Sequence, residues 1–147
     1  MKGISNFRLL FIFVVVLGIS SCSSVSQVKI GIQGLKLNQL AMDAYLEKNY
    51  EKAADLFSRA LEINQQNTAA AYNLACCHAL QGDAVAAAKL LTTAFANGFH
   101  DIEYMQHDPD FNEVRDTPVF RSVVKKIEKS MDSEDGLSAL SDMRIEA

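Results

Sequence analysis

The sequence predicts an all-α chain in which paired antiparallel helices are closed at the C-terminal end by a short helical cap. Three observations carry this prediction. Small and apolar residues recur at an offset of 34 residues, and within each recurrence apolar residues stand three and four positions apart, which is the spacing of an amphipathic helix. After the recurrence, the chain's two prolines, Pro109 and Pro118, each follow a capping residue, as proline does in the first turn of a helix.

The composition is that of one ordinary globular domain, with 49% apolar and 22% charged side chains among 147 residues. The 14 basic and 18 acidic side chains give a net charge of -4, which leaves no cationic surplus to neutralise a nucleic-acid backbone. The chain has three cysteines, Cys22, Cys76 and Cys77, which are too few to stabilise a small domain by disulfide cross-links. We therefore expect an apolar core and no nucleic-acid partner.

The N-terminal residues 1–21 have the three parts of a secretory signal peptide. A positive start with Lys2 and Arg8 precedes an uncharged apolar run from Leu9 to Ile19, which two serines follow. As a helix this run measures about 16 Å, against roughly 30 Å for the hydrocarbon core of a bilayer. We therefore expect cleavage after this segment and not permanent insertion.

The string Ile19-Ser20-Ser21-Cys22 resembles the bacterial lipobox, in which an aliphatic residue and two small residues precede a lipidated cysteine. The resemblance implies that Cys22 is the lipid attachment site of a lipoprotein in the bacterial cell envelope, and that residues 22–33 form a lipidated tether. Because no aspartate follows the cysteine directly, the resemblance favours the outer membrane over the inner membrane. An ordinary signal peptide with an unrelated cysteine, and an uncleaved anchor, stay open as alternatives.

Residues 34–101 contain two units of the recurrence. When the chain is shifted by 34 residues, small residues of the first unit align with small residues of the second: Ala41 with Ala75, Ala53 with Ala87 and Ala60 with Ala94. Each unit predicts two helices joined by a short turn, and such hairpins place neighbouring helices antiparallel. The alanines then allow the helix backbones to approach closely.

Capping residues predict where these helices begin and end. The first helix ends near Lys48, and the second runs from Tyr50 to about Asn64. In the second unit Asp83 caps the start of the last helix, and Gly98 supplies the left-handed residue that ends it.

Two stretches, from Leu40 to Asn64 and from Tyr72 to Ala94, resemble tetratricopeptide repeats, with small residues where paired helices cross and an aromatic or aliphatic residue in the second helix. The resemblance implies a concave face, lined by the first helix of each unit, that suits a partner helix or an extended peptide. This predicted partner-binding groove consists of Leu35, Asn38, Met42, Tyr45, Leu46, Ala69, Tyr72, Cys76, Ala79 and Leu80. Packing of Tyr45 and Tyr72 inside the chain, against the neighbouring repeat or the cap, stays open.

Residues 102–130 are predicted as a helical capping segment. We expect a short helix at 102–107, a helical turn at 109–114 and a longer helix from Pro118 to about Ser130. The solvent side of the longer helix carries four cations, Arg121, Lys125, Lys126 and Lys129.

The string Asp108-Pro109-Asp110-Phe111 resembles part of a segment often found directly after bacterial tetratricopeptide repeats. The resemblance implies a capping role, because two repeats alone leave an apolar end uncovered. Residues 131–147, which are rich in serine, aspartate and glutamate, are predicted as a largely disordered tail.

The sequence predicts no catalytic residue, no metal site and no cofactor. Cys76, Cys77 and His78 are consecutive on a predicted helix, so their side chains point about 100° apart and cannot converge on one metal or form a nucleophile and base pair. We expect Cys77 in the core and Cys76 on the open face. The acidic stretch with His100 and His107 has the spacing of no metal-ligand set.

The functional expectation is therefore a membrane-anchored envelope lipoprotein that acts as a non-catalytic protein-protein interaction scaffold or assembly factor. Its expected partners are a protein or peptide in the cell envelope and, through the N-terminal lipid, a membrane. The alternative is a small homo-oligomeric structural protein, because two repeats leave an apolar edge that a second copy can bury.

Overall fold

The structure is a computed structural model that describes residues 28–131. Contacts between residues divide the chain into two units, Met1–Gln33 and Gly34–Ala147. The predicted signal peptide, Cys22, the first part of the tether and residues 132–147 of the tail lie outside the described residues. All helix-helix packing reported below belongs to the second unit.

Helices account for the regular structure of the described residues, among which there is no strand. Their order is α1 at 28–46, α2 at Tyr50–Ile63, α3 at Thr68–Leu80, α4 at Ala84–Ala96, α5 at Ile102–His107, a 3₁₀ turn at Pro109–Phe111 and α6 at Pro118–Met131. This order confirms the predicted all-α class and its helical hairpins. Residues 28–33, expected as tether, are helical, because this stretch has no proline and its single glycine, Gly31, costs a helix only about 1 kcal/mol.

Capping residues set the ends of the helices. The side chains of Asn49, Asn67, Asp83 and Asp101 each accept a hydrogen bond from the backbone N–H three residues on. Gly98 follows α4 with φ of 100°, a left-handed conformation that glycine adopts without steric cost. Asp83 and Gly98 therefore begin and end α4 as the sequence predicts.

The recurring alanines lie where helices cross. Ala41, Ala53, Ala60, Ala75, Ala87 and Ala94 are all fully buried. Helix α2 packs against α3, and α3 packs against α4, so the two hairpins stack along the chain. The buried methyl groups let the helix backbones approach closely, which is the packing that the 34-residue recurrence predicts.

The segment after α4 covers the end of the second hairpin. Helix α6 packs against α4, and the 3₁₀ turn packs against α3. Five residues of this segment are buried in one apolar cluster with α3 and α4: Met105, Phe111, Val114, Phe120 and Ile127. Within residues 28–131, no helix combines the length and the apolar character that crossing a membrane requires.

Candidate functional site

By helical spacing, the five predicted groove residues of α1 share one side of that helix, and the five of α3 share one side of theirs. We call these two sides together the concave face. The exposure of the ten residues divides them into three groups. Leu35, Leu46 and Ala69 are exposed, Asn38, Met42, Tyr45 and Leu80 are half-buried, and Tyr72, Cys76 and Ala79 are buried. The accessible part of the face therefore lies mainly on α1, and the covered part lies on α3.

The covered part is occupied by residues 108–111, which we call the capping loop. Asp108 is only 7% exposed, and its Oδ2 accepts a hydrogen bond from the Tyr72 hydroxyl at 2.7 Å. The other carboxylate oxygen of Asp108 accepts from the backbone N–H of Asp110 at 3.0 Å, which caps the 3₁₀ turn. One buried side chain thus fixes both the shape of the loop and its attachment to α3.

Aromatic rings and a guanidinium group hold the loop from other directions. The Tyr72 ring stacks on Phe99 with centroids 4.3 Å apart and meets Phe111 edge to face at 5.8 Å. Arg115 donates from Nη2 to the backbone carbonyl of Asp108 at 2.7 Å. Tyr72 is therefore packed inside the chain against the capping segment, as the alternative for this residue anticipated.

The capping loop also reaches the first hairpin. The hydroxyl of Tyr45, on α1, donates a hydrogen bond to Oδ2 of Asp110, which lies 65 residues further along the chain. Burial and this hydrogen bond raise the pKa of Tyr45 well above its usual value. The same two causes, burial and then the hydrogen bond to Asp108, raise the pKa of Tyr72.

The expectation that Cys76 lies on the open face is wrong. Cys76 is only 2% exposed, because the capping loop covers it, and its Sγ lies 3.9 Å from Oδ2 of Asp108. Burial, followed by the charge of Asp108, raises the pKa of the Cys76 thiol well above its usual range. Cys77 is fully buried as predicted, and burial raises its pKa to about 12. Both thiols therefore stay protonated and poorly nucleophilic at neutral pH.

Cys76, Asp108 and Asp110 form a group that sequence spacing did not predict. One ligand atom from each lies within 4.8 Å of the others, a separation at which a metal ion can be held. In this structure the hydroxyls of Tyr72 and Tyr45 donate to the two carboxylates. The two carboxylates therefore attach the loop to α3 and α1.

Comparison with known proteins shows what these helices are similar to. Residues 44–107, which include α2, α3, α4 and α5, match the family model of the tetratricopeptide repeat. This match supports the predicted tetratricopeptide repeats over these residues. Over 94 residues the chain is 27% identical to a chloroplastic protein of Arabidopsis thaliana, and the match covers 62% of this chain but only 28% of that protein. No solved structure gives a significant match.

The attachment of the capping loop to the helical hairpins is the feature that sequence reasoning missed. Asp108 was expected only to cap the helical turn that follows it, although it is also the acceptor for a tyrosine 36 residues earlier. The sequence feature that could have revealed this attachment is a pair of acidic residues, Asp108 and Asp110, close to Phe111. They lie in a segment that was expected to cover the apolar end of the second hairpin. An acid that such a segment buries requires a hydrogen-bond donor, and for Asp108 the donor comes from α3.

The helical hairpins should lose stability at alkaline pH through Tyr45, Tyr72, Cys76 and Cys77. Their pKa values are raised in the folded chain, so the unfolded chain loses its protons first. The stability that these groups contribute is fully present below their unfolded-state pKa values, about 8.5 for cysteine and about 10 for tyrosine, and falls as pH rises above each of them. Urea denaturation followed by circular dichroism between pH 7 and 11 measures this change.

The matched control is the double variant Tyr45→Phe/Tyr72→Phe, which removes the two tyrosine hydroxyls and leaves the two thiols. Its unfolding free energy should be lower at neutral pH but should fall less steeply above pH 9. An equally steep fall in the double variant would contradict the assignment of the pH dependence to these hydroxyls.

Proposed function

We propose that this chain is a non-catalytic protein-binding module that a lipid on Cys22 holds at a bacterial envelope membrane. The observation that carries the binding function is an exposed apolar strip on α1, formed by Leu35, Met42 and Leu46. Leu35 is 72% exposed and Leu46 is 73% exposed, although both residues lie in a well-formed helix. Tetratricopeptide repeats generally bind protein partners, and the strip lies on the face that this family uses for binding.

The three side chains of the strip lie on one side of α1. At 3.6 residues per turn, positions 35, 42 and 46 fall within about 40° of each other around α1. The strip continues toward α3, because Nδ2 of Asn73 lies 3.6 Å from Sδ of Met42. A narrow apolar strip beside an amide suits an amphipathic helix or an extended peptide.

The capping loop limits where this partner can bind. Tyr72, Cys76 and Ala79 are covered, so a partner meets the concave face from the α1 side. Binding that displaced the loop would break the hydrogen bond from Tyr72 to the carboxylate of Asp108, and a bond to a charged group contributes about 1.5–3 kcal/mol. The proposed interface therefore centres on Leu35 and Leu46, with Ala69 at its edge.

Site-specific photo-crosslinking in cells tests the interface. A photo-reactive amino acid at position 35 or 46 should give a crosslinked product with a partner protein. The matched control is position 40, because Leu40 is 44% exposed but lies about 140° around α1 from Leu35.

Equal crosslinking from all three positions would contradict a defined interface on the strip. Crosslinks that join only two copies of this chain would favour the oligomeric alternative. The double variant Leu35→Asp/Leu46→Asp should weaken capture of the crosslinked partner at least tenfold, because truncating an apolar anchor in an interface commonly costs about 2 kcal/mol or more.

The membrane anchor has a separate test. Labelling of the protein with a radioactive fatty acid should be abolished in Cys22→Ala, and the variant should accumulate as the unprocessed precursor. Labelling that persists in the variant would contradict lipidation at Cys22.

A further inference from the structure

A second concave site lies on the capping segment, between α5 and α6, away from the concave face. It is a cavity of about 530 Å³, within the size range of small-ligand sites. Its floor is formed by Met105, Phe120 and Val124. Met105 is fully buried and Phe120 is 2% exposed, so the floor is part of the packed core and keeps its shape when the cavity is empty.

Three cations surround this apolar floor. Arg121 and Lys125 extend from the exposed side of α6, and Arg115 lies in the turn before it. Within residues 28–131, none of the three forms an ion pair with a carboxylate. The one acid that lines the cavity, Glu128, already accepts a hydrogen bond from Nε2 of Gln106 at 2.5 Å. The lining is therefore cationic on a chain whose net charge is -4.

The guanidinium of Arg115 is held in place before any ligand arrives. Its Nη2 donates to the backbone carbonyl of Asp108 at 2.7 Å and to Oδ1 of Asn112 at 3.2 Å. These bonds fix the side chain and use both hydrogens of Nη2. The N–H groups of Nε and Nη1 remain to donate single charge-assisted hydrogen bonds to a carboxylate. Preorganisation of this kind lowers the entropy cost of binding an anion.

We infer that this cavity binds an acidic peptide segment of a protein partner, with one large apolar side chain in the cavity and neighbouring carboxylates paired to Arg115, Arg121 and Lys125. The inference rests on the proposed protein-binding function and adds a second surface to it. The apolar floor selects the anchoring side chain, and the unpaired cations select the charge of the residues beside it. A neutral or basic peptide leaves these cations without a counter-charge and binds more weakly.

Fluorescence anisotropy with the purified full chain and defined peptides tests the inference. The probe is a fluorescein-labelled peptide with the sequence Glu-Asp-Phe-Asp-Glu. One comparison peptide has alanine in place of phenylalanine, and another has lysine in place of every acid. The probe should bind saturably, and each comparison peptide should bind at least about tenfold more weakly, since every 1.4 kcal/mol lost is tenfold in affinity.

Two double variants with the same change in net charge locate the binding site. Arg121→Glu/Lys125→Glu reverses two cations of the cavity and should weaken binding of the probe at least tenfold. Lys126→Glu/Lys129→Glu reverses two exposed cations of the same helix that do not line the cavity, and should leave the affinity within about twofold. All four residues are on the exposed side of α6, so both variants should keep the parental helical signal.

Equal loss in the two variants would show attraction to a cationic helix and would overturn the cavity as the site. Binding of the alanine peptide as tightly as the phenylalanine peptide, or no saturable binding of the probe below about 1 mM, would also overturn the inference. Crosslinking from positions 35 and 46 depends on α1 and not on α6. Failure of the peptide test is thereby distinguishable from failure of the proposed function.

Discussion

Replacing Phe111 by alanine is expected to lower the free energy of unfolding by about 3–5 kcal/mol. Phe111 is fully buried and meets two other rings, Tyr72 at 5.8 Å and Phe120 at 5.3 Å. Truncation leaves a cavity between α3, the capping loop and α6, where neighbouring backbone cannot collapse freely. Guanidinium chloride denaturation followed by circular dichroism measures the loss as a lower midpoint.

Two controls accompany this prediction. Phe111→Leu keeps most of the buried apolar volume and should cost clearly less than the alanine variant. Tyr104→Ala removes a ring that is 58% exposed beside the same cluster, and should also have a small effect. A Phe111→Ala midpoint equal to that of Tyr104→Ala would contradict the packing of the capping loop against the repeats.

Replacing Asp108 by alanine is expected to cost about 2–4 kcal/mol, the second largest effect. The change removes the cap of the 3₁₀ turn, which is worth about 1 kcal/mol, and leaves the Tyr72 hydroxyl buried without its acceptor, which costs a further 1–3 kcal/mol. The variant should also make Cys76 reactive toward a thiol reagent under native conditions, since the loop that covers it is loosened.

Asp108→Asn retains one side-chain oxygen and should lose less stability than the alanine variant. Asp116→Ala removes an exposed acid of the same segment and should change the unfolding free energy by no more than about 0.5 kcal/mol. If Asp108→Ala were as stable as Asp116→Ala, the hydrogen bond to Tyr72 would contribute nothing to the attachment of the loop.

The fold was predictable from sequence because its signals are local. Asp83 and Gly98 set the two ends of α4 through their own side chain and backbone, and neither depends on a distant residue. The burial of Ala53 and Ala87 follows from a recurrence that a shift of the chain by 34 residues reveals. Each of these features needs only a few neighbouring positions or one fixed offset.

The candidate site was predictable only in part because its contacts are long-range. Leu35 and Leu46 are exposed as a groove residue must be, but Tyr72 and Cys76 are covered by a loop more than thirty residues away. No periodicity pairs Tyr72 with Asp108. The helical spacing places Cys76 on the same side of α3 as Tyr72, and both approach Asp108. Which residues cover that side depends on how the segment after α4 folds back onto α3.

The hydrogen bond between Tyr45 and Asp110 changes how the chain should unfold. In an array of repeats each unit normally contacts only its neighbours, so an end hairpin can fray while the rest stays folded. Here the first hairpin is bonded directly to the segment that follows the second, across 65 residues. Separating α1 from the molecule therefore also breaks a contact of the capping loop. The two ends are energetically coupled, and residues 34–131 should melt in a single cooperative transition, without stepwise loss of hairpins.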